Sequence, residues 1–143
     1  MNIQTMESND IALTNKIEEA ILECEQVPVE TLHTIHSGIY TRTIHIPAGT
    51  VVAGAFIKIP TTLIATGNLR VTIGSKVVNI KGTRVITAKA NRKQVAFALE
   101  DSSVIMCFAT KAKTVKEAEK EFTDDWARLM SNTNSNLINI TGE

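Results

Sequence analysis

The chain has 143 residues, 15 Lys and Arg balanced by 15 Asp and Glu, and 43% apolar residues. That length suits one domain with a single core, and no run approaches the roughly 20 apolar residues of a membrane-spanning helix. Cys24 and Cys107 are far apart and form no C-x-x-C pair, which argues against a disulfide framework or a thiolate zinc site. The zero net charge hides an asymmetry: residues 36–113 carry eleven cations against Glu100 and Asp101, a net +9. Residues 1–35 are −6 and residues 114–143 are −3. Such a pattern speaks about partners. Either the acidic end helices pack on or near the basic middle, in the same chain or on a neighbouring subunit, or the middle binds an anion.

The first residues, "MNIQTMESNDIALTNK", lack a basic start followed by an apolar stretch, so no secretory signal is expected. Ser8, Asn9 and Asp10 are good N-cap residues. After them Leu13, Ile17, Ala20, Ile21 and Cys24 recur at helical spacing, predicting a helix of about four turns that Pro28 ends. From Thr31 to Thr110 β-branched residues dominate. "GIYTRTIHI" alternates Ile39, Thr41, Thr43 and His45 against Tyr40, Arg42, Ile44 and Ile46. "PAG" at 47–49 reads as a turn, and "TVVAGAFIKI" as a strand interrupted by Gly54. "TTLIATG" and "NLRVTIG" read as two strands about a Gly67-Asn68 turn, followed by "SKVVNIKG" and "TRVITAK". The polar "ANRK" is a turn, and "QVAFALEDSSVIMCFAT" gives two more strands about residues 100–102. Some eight short strands predict a sandwich or barrel. Thr114 to Glu117 forms a capping box, opening a helix to about Met130 with Val115, Ala118, Phe122, Trp126 and Leu129 on one face. The Asn-rich residues 131–143 read as a loose tail. The expected organisation is therefore a helix and linker at 1–30, a barrel at 31–112, a helix at 113–130 and a flexible tail.

Gly38, Tyr40 and Arg42, then Pro47-Ala48-Gly49, Gly54, Gly67 and Ala98-Leu99-Glu100-Asp101 follow one another in an order that resembles the cupin superfamily. The resemblance covers about half the chain and is nearest to the small cupin-like proteins of bacteriophages. It implies a mainly β fold, a double-stranded β-helix of jelly-roll type between two amphipathic helices, and a place in the host cytoplasm or the virion. Metal-binding cupins carry His and acidic ligands at positions that fall here near Ile57, Thr61 and Gln94. Isoleucine offers no ligand atom, and neutral Thr and Gln oxygens make a poor site, so no metal or other cofactor is expected. The three histidines, His33, His36 and His45, lie upstream of those positions. The barrel segment has only Glu100 and Asp101 as acids, placed together in a turn, and shows no base beside a nucleophile. The reading leans away from an enzyme.

Two functions of different class remain. The first is a binding module that holds or sequesters an anionic small molecule, a nucleotide or sugar phosphate, in a metal-free barrel. Its candidate residues are Arg42, Lys58, Arg70, Arg84 and Arg92 for the anion, Thr61 and Gln94 in the vacated ligand positions, and Tyr40 or Phe97 to stack on a base. The second is a structural protein of a phage particle, working as a homo-oligomer and through its end helices and tail. Nucleic acid is disfavoured: aromatics are 4% of residues, too few for a stacking platform, and the acidic ends would repel a polyanion.

Overall fold

The computed structural model describes residues 1–129 and 136–141. Its elements are β1 (Asn2–Ile3), α1 (Ser8–Leu22), β2 (Glu30–His36), β3 (Ile39–Ile46), β4 (Val51–Ala53), β5 (Thr61–Ile73), β6 (Lys76–Ala88), β7 (Val95–Ala98), β8 (Ser102–Ala109), α2 (Val115–Phe122), a 3-10 turn (Trp126–Arg128) and β9 (Asn136–Ile140). The strands run in the order β1-β6-β5-β8-β3-β2-β9, with β4 and β7 attached through β5. The fold is mainly β, with the two helices the sequence predicts.

The two longest strands close the barrel. The first half of β5 pairs with β8, from Thr62 opposite Cys107 to Thr66 opposite Ser103. Its second half pairs with β7, from Leu69 opposite Ala98 to Val71 opposite Ala96. The partner on that side changes between these halves, at Gly67, which stands directly opposite Gly82 of β6. This corrects the sequence reading. Gly67-Asn68 is no turn, and Gly82 does not separate two strands; "TTLIATGNLRVTI" and "KVVNIKGTRVITA" are single 13-residue strands. Glycine inside a strand marks a bend at a barrel corner as readily as it marks a turn. Gly67 has φ +126°, and a Cβ there would lie 2.3 Å from Ser102 Oγ. The Ser102 hydroxyl occupies that space, accepting from Asn68 N–H at 3.1 Å and donating to Glu100 C=O at 2.8 Å. The hairpin instead turns at Gly74, φ +61°.

Other boundaries also differ from expectation. The strand expected from Thr50 to Ile59 keeps only Val51–Ala53, followed by one bridge of Ile57 to Arg92. Helix α1 begins after Glu7 with no side-chain cap and stops at Leu22, six residues before Pro28. Gln26 Nε2 ends it by donating to Ile21 C=O and Cys24 C=O, both at 2.9 Å, in place of further helical bonds. Helix α2 carries the expected capping box: Thr114 Oγ1 accepts from Glu117 N–H at 3.2 Å, and Glu117 Oε2 accepts from Lys113 N–H at 2.8 Å. Replacing Thr114 by Ala should cost about 1 kcal/mol, read as a lower denaturation midpoint at unchanged slope. The helix ends at Phe122 rather than Met130, because Thr123 is extended and its hydroxyl accepts from Asp125 N–H at 3.2 Å. Met130 lies outside the described residues.

In the region read as a loose tail, Asn136–Ile140 form β9, parallel to β2 from Thr31 opposite Asn136 to Ile35 opposite Ile140. "NLINI" supplies the alternating β-branched character that a strand edge accepts. The remainder of that expectation, residues 131–135 and 142–143, lies outside the described residues.

Two apolar clusters share the interior. One fills the barrel with Ile3, Val29, Ile46, Val52, Leu69, Val71, Ile80 and Ile86. The other, with Ile35, Tyr40, Met106, Ala118 and Phe122, lets α2 plug one end. Helix α1 packs on β4 and β7. The acidic ends do pack on the basic barrel of the same chain. Glu18 of α1 pairs with Lys93 at 2.9 Å, Glu119 of α2 with Arg42 at 3.2 Å, and Asp124 with Lys58 at 2.7 Å.

Candidate functional site

The barrel encloses a cavity of about 670 Å³, within the range of small-molecule sites. Strand alternation builds its wall. On β3 the even residues Arg42, Ile44 and Ile46 face it; on β5 it is Leu63, Ala65, Leu69 and Val71; on β6, Ile80 and Ile86. Ala96, Val104 and Met106 complete the aliphatic shaft, and Phe122 of α2 lines it on one side. The C-terminal turn of α1 and residues 24–27 border the cavity, as do Asp125, Arg128 and Leu129.

The candidate site residues divide. Arg42, Arg92 and Gln94 line the cavity, as does Ile57. Arg42 is 9% exposed, paired with Glu119, and its guanidinium lies 5.7 Å from the centre of the Phe122 ring. Arg92 is 1% exposed. It donates from Nη1 to Lys89 C=O at 2.8 Å and Ile59 C=O at 3.2 Å, and from Nη2 to Thr61 Oγ1 at 2.6 Å. Its Nε finds no acceptor, and no carboxylate pairs with it among the described residues. Burial lowers its pKa to about 10, so it stays a cation at neutral pH. Thr61 thus serves as a holder of Arg92. Gln94 Nε2 meets Met6 Sδ at 3.6 Å.

The others stand elsewhere. Lys58 is outside the cavity, on Asp124. Arg70 and Arg84 are exposed on the β5–β6 hairpin. Phe97 lies opposite Arg70 and Val51, on the outward register of β7, since Ala96 and Ala98 point inward. Tyr40 has no open face to offer a ligand base: it is fully buried, stacked with Phe122 and tilted against Phe108, and shares a 2.7 Å hydrogen bond with His33 Nδ1. Among the described residues no three of His, Cys, Asp and Glu come together as metal ligands. His45 meets Ser103, His36 meets Thr141, and burial pushes the Cys107 thiol up, away from the reactive thiolate.

Burial of the Tyr40 phenol pushes its pKa up to about 12, against which the neighbouring Arg42 acts. The raised value means that the fold favours the neutral phenol. Its contribution, roughly 2–3 kcal/mol, is whole below pH 10 and is lost as pH rises from 10 towards 12, where the unfolded chain ionises first. Tyr40 is the one tyrosine of the chain. Tyrosinate absorbance should therefore titrate near pH 12 in the folded protein and near 10 in denaturant.

Two participants escaped the sequence reading. Glu119 stands four residues after Val115 and three before Phe122, so its spacing puts an acid on the apolar face of α2, a signal that could have found it. Lys93 is buried at 5% exposure, held by Glu18 and by Asn15 Oδ1 at 2.9 Å; no local pattern marks it.

No family model and no curated protein matches this chain. Solved structures do. A cupin superfamily protein from Desulfitobacterium hafniense is 11% identical, with a TM-score of 0.48, over 64% of this chain and 86% of that one. An RmlC-like cupin protein from Desulfovibrio desulfuricans is 16% identical, TM-score 0.48, over 62% and 91%. An RmlC-like cupin family protein with a double-stranded β-helix fold from Methanocaldococcus jannaschii is 14% identical, TM-score 0.48, over 60% and 91%.

Proposed function

We propose that this chain is a non-catalytic binding protein that takes a small molecule into its metal-free barrel. One observation carries the reading: a cavity of about 670 Å³ whose wall is aliphatic along the shaft and whose buried polar groups gather around Arg42, Arg92 and Lys93. A wall of that kind accepts apolar surface and uses a few polar groups to orient it. The nucleotide or sugar phosphate expected from the charge pattern fits less well. Its hydroxyls would lack partners on the shaft, and Arg70 and Arg84 face outward.

The test is uptake of the neutral dye Nile red, followed by fluorescence. Saturable uptake is expected, and filling the shaft by Ala65→Phe or Ala96→Phe should abolish it while the cooperative unfolding transition remains. Equal uptake by folded variants would place the dye on the surface and refute the reading.

A second reading, a structural role in a phage particle through oligomerisation, is favoured by the edge of β6. Strand β1 covers this edge only at Thr87 and Ala88, and Val77 and Val85 are 67% and 64% exposed. Open edges invite pairing with another strand. Val77→Lys with Val85→Lys should then lower the mass seen by sedimentation; an unchanged mass removes this edge from the assembly.

A further inference from the structure

Two of the buried cations at the cavity have a carboxylate partner, and a third has none. Glu119 neutralises Arg42, and Glu18 neutralises Lys93 and lies 3.9 Å from Arg128. Arg92 has only neutral acceptors: two carbonyls and the Thr61 hydroxyl. They fix the plane of the guanidinium and leave its charge uncompensated. A buried cation without a counter-charge is costly, and here it belongs to a residue that lines the cavity, with a guanidinium whose buried Nε has no acceptor. Ile57, which bridges Arg92, packs in the same cluster as Phe122. Arg92 therefore stands on the α2 side of the cavity.

We infer that the ligand is an amphiphile with a single anionic head, which sets its charge beside Arg92 while Ile44, Ile46, Leu69, Val71, Ile80 and Ile86 cover its alkyl body. This deepens, and rests on, the proposal that the barrel takes up a small molecule. An alkyl carboxylate has the required chemistry: its oxygens accept from a guanidinium, and its chain loses nothing by leaving water.

The experiment compares decanoate with decanol, each below its aggregation concentration, by calorimetry and by thermal shift of the full chain. Acetate and ribose 5-phosphate serve as probes of a head without a chain and of a phosphate with a polar body. Decanoate is expected to bind about tenfold or more tightly than decanol, with acetate and ribose 5-phosphate inert. In Arg92→Met the preference should vanish while decanol still binds. Arg92→Lys provides a second variant that keeps the charge, and the comparison of the two ligands on the unaltered protein needs neither variant to fold. Equal affinity for decanoate and decanol would overturn the charged head and leave the binding reading intact. Ribose 5-phosphate binding in preference to decanoate would overturn the amphiphile. Binding of none of the four, with no uptake of Nile red, would overturn the inference and the binding reading together.

Discussion

Replacing Glu119 by Ala should destabilise the protein by about 3–5 kcal/mol, the usual result of removing one member of a buried ion pair. Arg42 Nη1 and Glu119 Oε2 are 3.2 Å apart, with side-chain exposures of 10% and 3%. At the surface the same pair would be worth little. Here the carboxylate of α2 answers a guanidinium inside the barrel end, and its loss leaves the charge of Arg42 in a largely apolar setting with Phe122. Urea unfolding followed by Trp126, the single tryptophan, measures the cost. The double variant Arg42→Met, Glu119→Leu removes both charges and should recover most of the loss. A double variant as unstable as Glu119→Ala alone would mean that packing of α2, rather than the ion pair, sets the effect. Disruption of this pair should also loosen the plug at the end of the cavity, since Phe122 shares that helix.

The second large effect is expected at Gly67. Alanine there meets Ser102 at 2.3 Å from Oγ and 2.8 Å from its Cα, with φ +126° that other residues rarely adopt. Backbone strain and overpacking each cost roughly 1–3 kcal/mol, so Gly67→Ala should lose about 3 kcal/mol or more. Gly82 provides the control. It faces Gly67 across the hairpin with φ +77°, and a Cβ at Gly82 would meet nothing within 4 Å. Gly82→Ala should therefore cost only the backbone part, about 1–2 kcal/mol. Equal losses would show that close approach to Ser102 is not the cause. A melting comparison of the two variants decides between them.

The β texture, the capping box at Thr114, the turns at 47–49 and 90–93, and the asymmetry of charge along the chain were legible in the sequence because each depends on neighbours within a few residues. Alternation on β3 even assigned Tyr40, Arg42, Ile44 and Ile46 to one face, which is the face that points inward. What failed was local evidence with two meanings. Glycine at 67 and 82 fits a turn or a bent strand, and only pairing with β8 on one side and β7 on the other decides for the bend. "NLINI" lies among asparagines, and its place beside β2 depends on an edge formed a hundred residues earlier in the chain.

The site divides in the same way. Residue type by itself determined that the basic residues collect in the barrel segment. Which of those cations would be surrounded by acids was decided only by tertiary packing. Glu18 and Glu119 reach the barrel from the two helices and settle the charges of Lys93 and Arg42, whereas Arg92 is enclosed with neutral oxygens. The physical reason is range: propensity and alternation act over a few residues, whereas burial and charge compensation depend on groups brought together from opposite ends of the chain.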